Sequence, residues 1–371
     1  MFQRPDRIDN TLYIVSVVFN PVRYRSRWRL YQDFAKHVEE TGKAKLLTVE
    51  IAHGEREFTV TEPGERWHLQ LRTQHEIWHK ERAINLGVQR LPADWRYVAW
   101  VDADVQFARG DWADEALHAL QSWPVVQLWS EASDMSAGHE IVQTHKSFAW
   151  CYWNDDDTTP LPVMVKKGYG GWDPKTRKVY WHPGFGHAYR RDAWDALGGL
   201  FDLSIIGAGD YHMAQALIGQ AHVGIDYGIH QEYKDAVLLW QKRAVDYIKG
   251  NYGYVSGHIS HYWHGPKADR KYNTRWKILV DNGFQPSLDL RTDWQGLYQL
   301  TPGSETSARH PKILSTKERG PALADDFRAF LAVVLSPQRA KVSVVKALLL
   351  LFGVAQVKGS NRDDMVNLNL A

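Results

Sequence analysis

Two aspartates one residue apart, Asp102 and Asp104, follow an unbroken apolar run, Tyr97-Val98-Ala99-Trp100-Val101. Carboxylates at that spacing offer oxygen ligands to a hard divalent cation, an ion that often bridges substrate phosphates. The plain alternative is a solvated pair that ends a strand. The same spacing recurs at Asp155 and Asp157, but there it lies inside a polar loop, residues 154–160. What separates the two is the run ahead of Asp102, which reads as a buried strand bounded by polar residues. Open α/β sheets bind ligands just past the carboxyl ends of their strands, and Asp102 and Asp104 stand at such an end.

Other residues could do chemistry. Asp210 follows Ile205-Ile206-Gly207-Ala208-Gly209 and opens a predicted helix over 211–218. There it either caps the helix or, surrounded by glycines, serves as a general base. His258, His261 and His264 recur at three-residue intervals and either share a metal or are ordinary histidines. Arg23, Arg25, Arg27 and Arg29 crowd the turn after Asn20-Pro21. A basic turn between a strand and a helix suits phosphate oxygens, although for Arg25 and Arg29 a solvated face is the simpler reading. Residues 163–181 and 257–277 each carry five Lys or Arg against one Asp, interleaved with Tyr and Trp. Such loops either meet an anionic, ring-bearing partner or form solvated tips.

These residues need a scaffold, and the chain supplies alternating elements. Strands are predicted at 11–19, 45–51, 69–72, 97–101 and 125–129, helices at 27–38, 77–88, 111–121, 211–218 and 235–247. The alternation up to Asp102 argues for a parallel, Rossmann-like sheet. No Gly-x-Gly-x-x-Gly follows the first strand, which disfavours a nicotinamide dinucleotide fold. Residues 55–63 read as an edge excursion, and 135–152 fit neither period. Residues 1–300 read as one domain, 301–321 as a linker and 322–371 as a helical extension broken at Ser336-Pro337.

Lys and Arg total 45 against 43 Asp and Glu, a net +2, so no global field demands a nucleic-acid partner. With one cysteine, Cys151, no internal disulfide forms and no oxidising compartment is required. The first residues carry no apolar signal core. The longest apolar run, 342–357, is interrupted by Lys346 and Gln356 and is too short to span a bilayer. A cytoplasmic location (host cytoplasm for a phage-encoded chain) and no membrane partner are expected. Seventeen Trp and seventeen Tyr fit an aromatic core or a site that stacks flat rings.

Four stretches, in this order, resemble GT-A-fold glycosyltransferases over about residues 11–265. Pro21-Val22-Arg23-Tyr24-Arg25 is similar to the Pro-Phe-Arg-x-Arg element of β-1,4-galactosyltransferases. Trp78-His79-Lys80-Glu81-Arg82-Ala83-Ile84-Asn85-Leu86-Gly87 looks like their donor-contacting helix, with a basic residue at Lys80 and Asn at Asn85. The Asp102-x-Asp104 strand follows. Gly198-Gly199-Leu200-Phe201-Asp202 then leads to Asp210, as the family's Gly-Gly-x-x-Asp leads to its acidic cluster. Gly209 departs from the pattern, since the family carries an acidic pair or run at that helix start. A narrower resemblance is to glycosyltransferases of phages and DNA-modification clusters, akin to the base J glucosyltransferase. It rests on the Trp-His-Lys-Glu…Asn helix, the Trp-Val-Asp-Ala-Asp strand, the Gly-Asp-x-His-Met run and the His-Gly…Arg-x-Tyr…Arg stretch.

The resemblance implies an α/β GT-A fold, a Rossmann-like mixed sheet flanked by helices. It implies transfer of a sugar from a nucleotide-sugar, in the first place a UDP-sugar, to a hydroxyl. Mn²⁺ or Mg²⁺ would be held by Asp104 and Asp102 with His264 or His261. Asn20, Arg23, Lys80, Asn85 and Asp102 would contact the donor, and Asp210 would act as base with inversion. The narrower match implies DNA carrying 5-hydroxymethyluracil or 5-hydroxymethylcytosine as acceptor. Its contacts would be Trp172, Lys175, Arg177, Lys178, Trp181, His182, His187, Lys267, Arg270 and Arg275. Two rivals stand beside it: a glycan- or protein-directed transferase, and a non-catalytic nucleic-acid-binding module on the same fold.

Overall fold

β1 (Leu12–Phe19) is the strand on which the domain is built, because its side chains are buried on both faces. Leu12 and Ile14 enter one core, Tyr13 and Val15 the other, as the two-residue alternation of a strand requires. Burial on both faces marks a parallel sheet covered by helices. The computed structural model describes residues 10–154, 181–225, 227–265 and 275–302. The predicted extension over 322–371 and nearly all of the predicted linker lie outside the described residues.

Beside β1 lie β2 (Ala44–His53) and then β3 (His68–Thr73), with β4 (Tyr97–Val101) on its other side, all parallel. β10 (Gly186–Arg190) runs antiparallel between β4 and β6 (Val125–Gln127), and β11 (Tyr252–Tyr254) pairs parallel with β6. The order β3-β2-β1-β4-β10-β6-β11 reverses its direction of growth between β1 and β4. Such a switch point opens a crevice at the carboxyl ends of both strands. The expected class, a mixed α/β sheet flanked by helices, is what these residues form.

α1 (Arg25–Glu39) and α3 (Trp112–Ser122) cover one face, where Phe34 and Val38 share a core with Trp112 and Ala116. α2 (Lys80–Val88) covers the other through Ala83, Ile84 and Val88. It starts later than the predicted 77–88, since the Trp78 amide is held by the Ile205 carbonyl at 2.7 Å. Residues 55–63 form no strand. Instead the Glu50 carboxylate gathers them, accepting from the amides of Thr59, Val60 and Thr61. The ambiguous 135–152 resolves into β8 (Ile141–Ser147) and a short helix, Phe148–Trp153.

A second sheet, which the patterning does not reveal, contains β5 (Val105–Phe107), β7 (Glu131–Met135), β8, β9 (Trp181–His182) and β12 (His258–His261). Its order is β5-β12-β7-β8-β9. Among the described residues no helix is long and apolar enough to cross a membrane.

α2 lies so close to the sheet that a Cβ on Gly87 would stand 2.7 Å from Val15 Cγ1 and 3.0 Å from Val49 Cγ2. Both neighbours are stiff, β-branched side chains on buried strands. Gly87→Val should therefore destabilise by roughly 3 kcal/mol through overpacking, read as a lower urea midpoint at unchanged slope. A loss below about 1 kcal/mol would mean that the helix does not press on the sheet.

Candidate active site

β4 ends at Val101 and β5 begins at Val105, so Asp102-Ala103-Asp104 is the step between the two sheets. β12 runs antiparallel to β5 with His261 opposite Val105, and the Tyr262 amide donates to the Asp104 carbonyl at 2.8 Å. This ladder sets His261 and His264 beside Asp104. Nε2 of His261 lies 3.7 Å from one Asp104 carboxylate oxygen, and Nδ1 of His264 lies 3.1 Å from the other. One ligand atom from each of the three residues falls within 4.8 Å of the others. A carboxylate with two imidazoles fits a divalent cation. The mixed set favours Mn²⁺ or another first-row ion over Mg²⁺, which demands a near-ideal octahedron of oxygens.

Two residues stand apart from this cluster: His258, one of the spaced histidines, and Asp102, an expected ligand. His258 faces Glu131 instead, with Nδ1 at 3.4 Å from its carboxylate. Asp102 pairs with Lys80 at 2.6 Å, and the same ammonium lies 4.3 Å over the Trp100 ring. Burial works against the charge on Lys80, but the carboxylates of Asp102, Asp210 and Glu81 outweigh it and hold the side chain protonated.

Asp210 sits in the first turn of the helix Gly209–Leu217, whose cap is Ala208, in left-handed backbone at φ 73° with no side-chain cap bond. Asp210 is thus not the N-cap residue itself, although its Oδ1 accepts from the first-turn amide of Tyr211 at 2.9 Å. The positive end of the helix favours its charge, and its Oδ2 would stand 2.6 Å from a Cβ on Gly184. Only glycine at 184 leaves it that room. On the neighbouring side, the carboxyl carbon of Glu81 would stand 2.8 Å from a Cβ on Gly209. Glu81 is 4% exposed. Burial above all pushes its carboxyl up to about 7, with Lys80 opposing and Asp210 adding to the rise.

Several predicted contacts have other work. Asn20 closes the turn after β1, its amide donating to the Tyr24 carbonyl and its oxygen accepting from the Tyr24 amide. Arg23 remains exposed at that turn, in left-handed backbone at φ 59°. Asn85, expected at the donor, bonds the Leu200 carbonyl and amide and the Asp202 carboxylate, all within 3.0 Å. Its amide and oxygen are both consumed in pinning the Gly198-Gly199 turn to α2.

Three of the expected acceptor contacts turn inward. Trp181 is 1% exposed and stacks on Tyr211. His187, on β10, is buried between Trp100 and Tyr252 and bonds the Tyr252 hydroxyl at 2.6 Å. Burial, with a contribution from Lys80, lowers its pKa to about 3, so it stays neutral. Arg275 packs beneath the turn at Gly207, next to Trp78. His182 stacks flat on Phe185 at 4.1 Å and accepts from the Gly184 amide, shaping the floor beneath Asp210. Trp172, Lys175, Arg177, Lys178, Lys267 and Arg270 lie outside the described residues.

Sequence reasoning missed Glu81, Asp134 and His145. Asp134 bonds Nδ1 of His261 at 2.6 Å and Nε2 of His145 at 2.5 Å. Glu81 had a signal, adjacency to Lys80 at a helix start. Asp134 and His145 had none, since their meeting depends on strand pairing.

No family model and no curated protein matches the chain. Among solved structures it is similar to the catalytic domain of Drosophila β1,4-galactosyltransferase 7 in complex with xylobiose. That likeness has 10% identity over 79% of this chain and 94% of the other, at a TM-score of 0.34. A mutant of the same enzyme, in complex with manganese, UDP-Gal and xylobiose, gives 10% identity over 78% and 94% at 0.32. S. aureus TarS gives 8% over 65% and 73% at 0.30. Overlaps at such scores are too shallow to assign an activity, which has to come from the site itself.

A carboxyl whose folded pKa is raised weakens the fold as it ionises. For Glu81, at about 7, the contribution is full below the unfolded value of about 4.3 and is lost as pH rises through 7. Glu81→Gln removes that loss. Relative to the native chain, its unfolding free energy should rise by roughly 3 kcal/mol between about pH 4.5 and 8. A difference that stays flat across that range would show that Glu81 ionises like an exposed carboxyl.

Proposed function

We propose that the protein is a metal-dependent glycosyltransferase that moves a sugar from a nucleotide-sugar, a UDP-sugar, to an acceptor hydroxyl. The observation that carries this reading is the meeting of Asp104, His261 and His264 at the switch-point crevice, beside the Lys80–Asp102 pair. That is where an α/β sheet binds its ligand, and the donor set is one that a divalent cation takes.

Asp104, His261 and His264 would hold the cation, Mn²⁺ before Mg²⁺. When bound, it offsets charge on the departing diphosphate as a Lewis acid. Arg23, exposed at the end of β1, grips diphosphate oxygens as a fork. Lys80 fixes the Asp102 carboxylate, whose other oxygen accepts from a ribose hydroxyl. Asp210 takes the proton from the acceptor hydroxyl. As that oxygen forms its bond to the anomeric carbon, the bond from carbon to the diphosphate oxygen breaks on the opposite face, and configuration inverts.

For the acceptor, the reading is the hydroxymethyl group of 5-hydroxymethyluracil or 5-hydroxymethylcytosine in DNA, reached in the major groove or by flipping the base. It is supported by the five cationic residues against one acidic in each of 166–178 and 267–277, within a chain of net charge +2. Apart from residues 275–277, these segments lie outside the described residues. The test is incubation with a panel of UDP-sugars, Mn²⁺ and DNA carrying either base, with mass spectrometry of the nucleosides. Sugar found only on glycan or protein acceptors would replace DNA by those acceptors. DNA binding that survives Asp104→Ala, with no turnover of any sugar nucleotide, would leave a binding module.

Two variants test the roles. Asp104→Ala, or EDTA on the native chain, should abolish turnover with the fold intact, and full activity in EDTA would sink the metal reading. Asp210→Asn should lower kcat by about 10²–10⁴-fold with donor affinity little changed. Normal turnover in that variant would remove Asp210 from the base role.

A further inference from the structure

Behind the proposed cation site lies a buried arrangement that no part of the reaction above uses. β12 pairs parallel with β7, setting His261 opposite Asp134, and β7 pairs antiparallel with β8, setting His145 opposite Ala132. Asp134, His145 and His261 are all buried, at 5%, 1% and 7% exposure. The two carboxylate oxygens of Asp134 are divided between the rings. Oδ1 meets Nδ1 of His261 at 2.6 Å and Oδ2 meets Nε2 of His145 at 2.5 Å.

An ionised carboxylate only accepts hydrogen bonds. Nδ1 of His261 must therefore carry the proton, and in the neutral ring Nε2 is left with its lone pair. That lone pair faces the Asp104 carboxylate 3.7 Å away, too far for a direct hydrogen bond. Two acceptors aimed at one another repel unless positive charge lies between them. We propose that Asp134 is the positioning residue of the cation site. It fixes the ring and tautomer of His261 so that Nε2 is presented to the ion, and His145 holds Asp134 from behind. A second consequence is electrostatic. Asp104 in contact and Asp134 one ring away bring two negative charges to a divalent ion, while Asp134 makes the imidazole a stronger donor.

This inference rests on the cation reading of Asp104, His261 and His264, and its test separates the two. Mn²⁺ affinity is measured without any substrate, by electron paramagnetic resonance, for the native chain and for Asp134→Asn, which keeps the shape and drops the charge. The expected result is a 10–100-fold weaker affinity in the variant. Equal affinities would overturn the role of Asp134 and leave the cation site standing; no Mn²⁺ binding by the native chain would overturn both. Since a buried substitution of this kind can fail to fold, the ¹⁵N histidine spectrum of the metal-free native chain gives an independent reading. His261, assigned by loss of its signals in His261→Gln, should show a protonated Nδ1 in its bond to Asp134. An Nδ1 without a proton would overturn the proposal.

Discussion

Only three residues, Asp102-Ala103-Asp104, separate β4 from β5, and they must carry the chain out of one sheet and into another. The geometry of the site follows from that constraint. At one end the Asp102 amide donates to the Phe185 carbonyl at 2.9 Å, extending the β4–β10 ladder. At the other the Asp104 carbonyl accepts from Tyr262 at 2.8 Å, extending β5–β12. With the backbone held on both sides, the two carboxylates have separate fates. Asp102 meets the first residue of α2, and Asp104 meets two histidines from the far end of the domain.

On the proposed reading, the charges explain why the site would take a cation. Asp102, Asp210 and Glu81 stand near one ammonium, Lys80, with Asp104 next to Asp102, in surroundings where burial makes charge costly. A diphosphate arriving alone would face a mostly acidic wall. In the proposed function, a divalent ion on Asp104 would reverse the sign where the phosphates rest, and Glu81, its carboxyl raised to about 7, is partly neutral there. Gly184 and Gly209 serve the same end. Each leaves the space that a carboxylate then fills, so two acidic groups flank one helix start although only Asp210 belongs to it.

Much of the scaffold was legible because β1, β2 and β4 bury both faces and read as apolar runs. The Asp102 and Asp104 pair was legible for the same reason, through the strand ahead of it. The histidine spacing marked the right segment but could not tell His258 from its neighbours, because that depends on which residues of β12 face β5 and which face Glu131. The second sheet was hidden, since strands such as Glu131–Met135 are short and polar. Asp134 and His145 went with it. Adjacency of aromatic and basic residues misled at Trp181 and His187, where a strand turns its rings into the core. Nor did the sequence show that Asn85, on a helix facing a glycine turn, bonds that turn.

The central claim is that Asp104, His261 and His264 hold a divalent cation at the switch point. Anomalous diffraction at the manganese edge, from crystals grown with Mn²⁺ and no nucleotide, tests it most directly. The account predicts a single strong peak within coordination distance of one Asp104 oxygen, His261 Nε2 and a His264 ring nitrogen, absent from Asp104→Ala crystals. A peak bound elsewhere, or none at a saturating concentration of the ion, would contradict it.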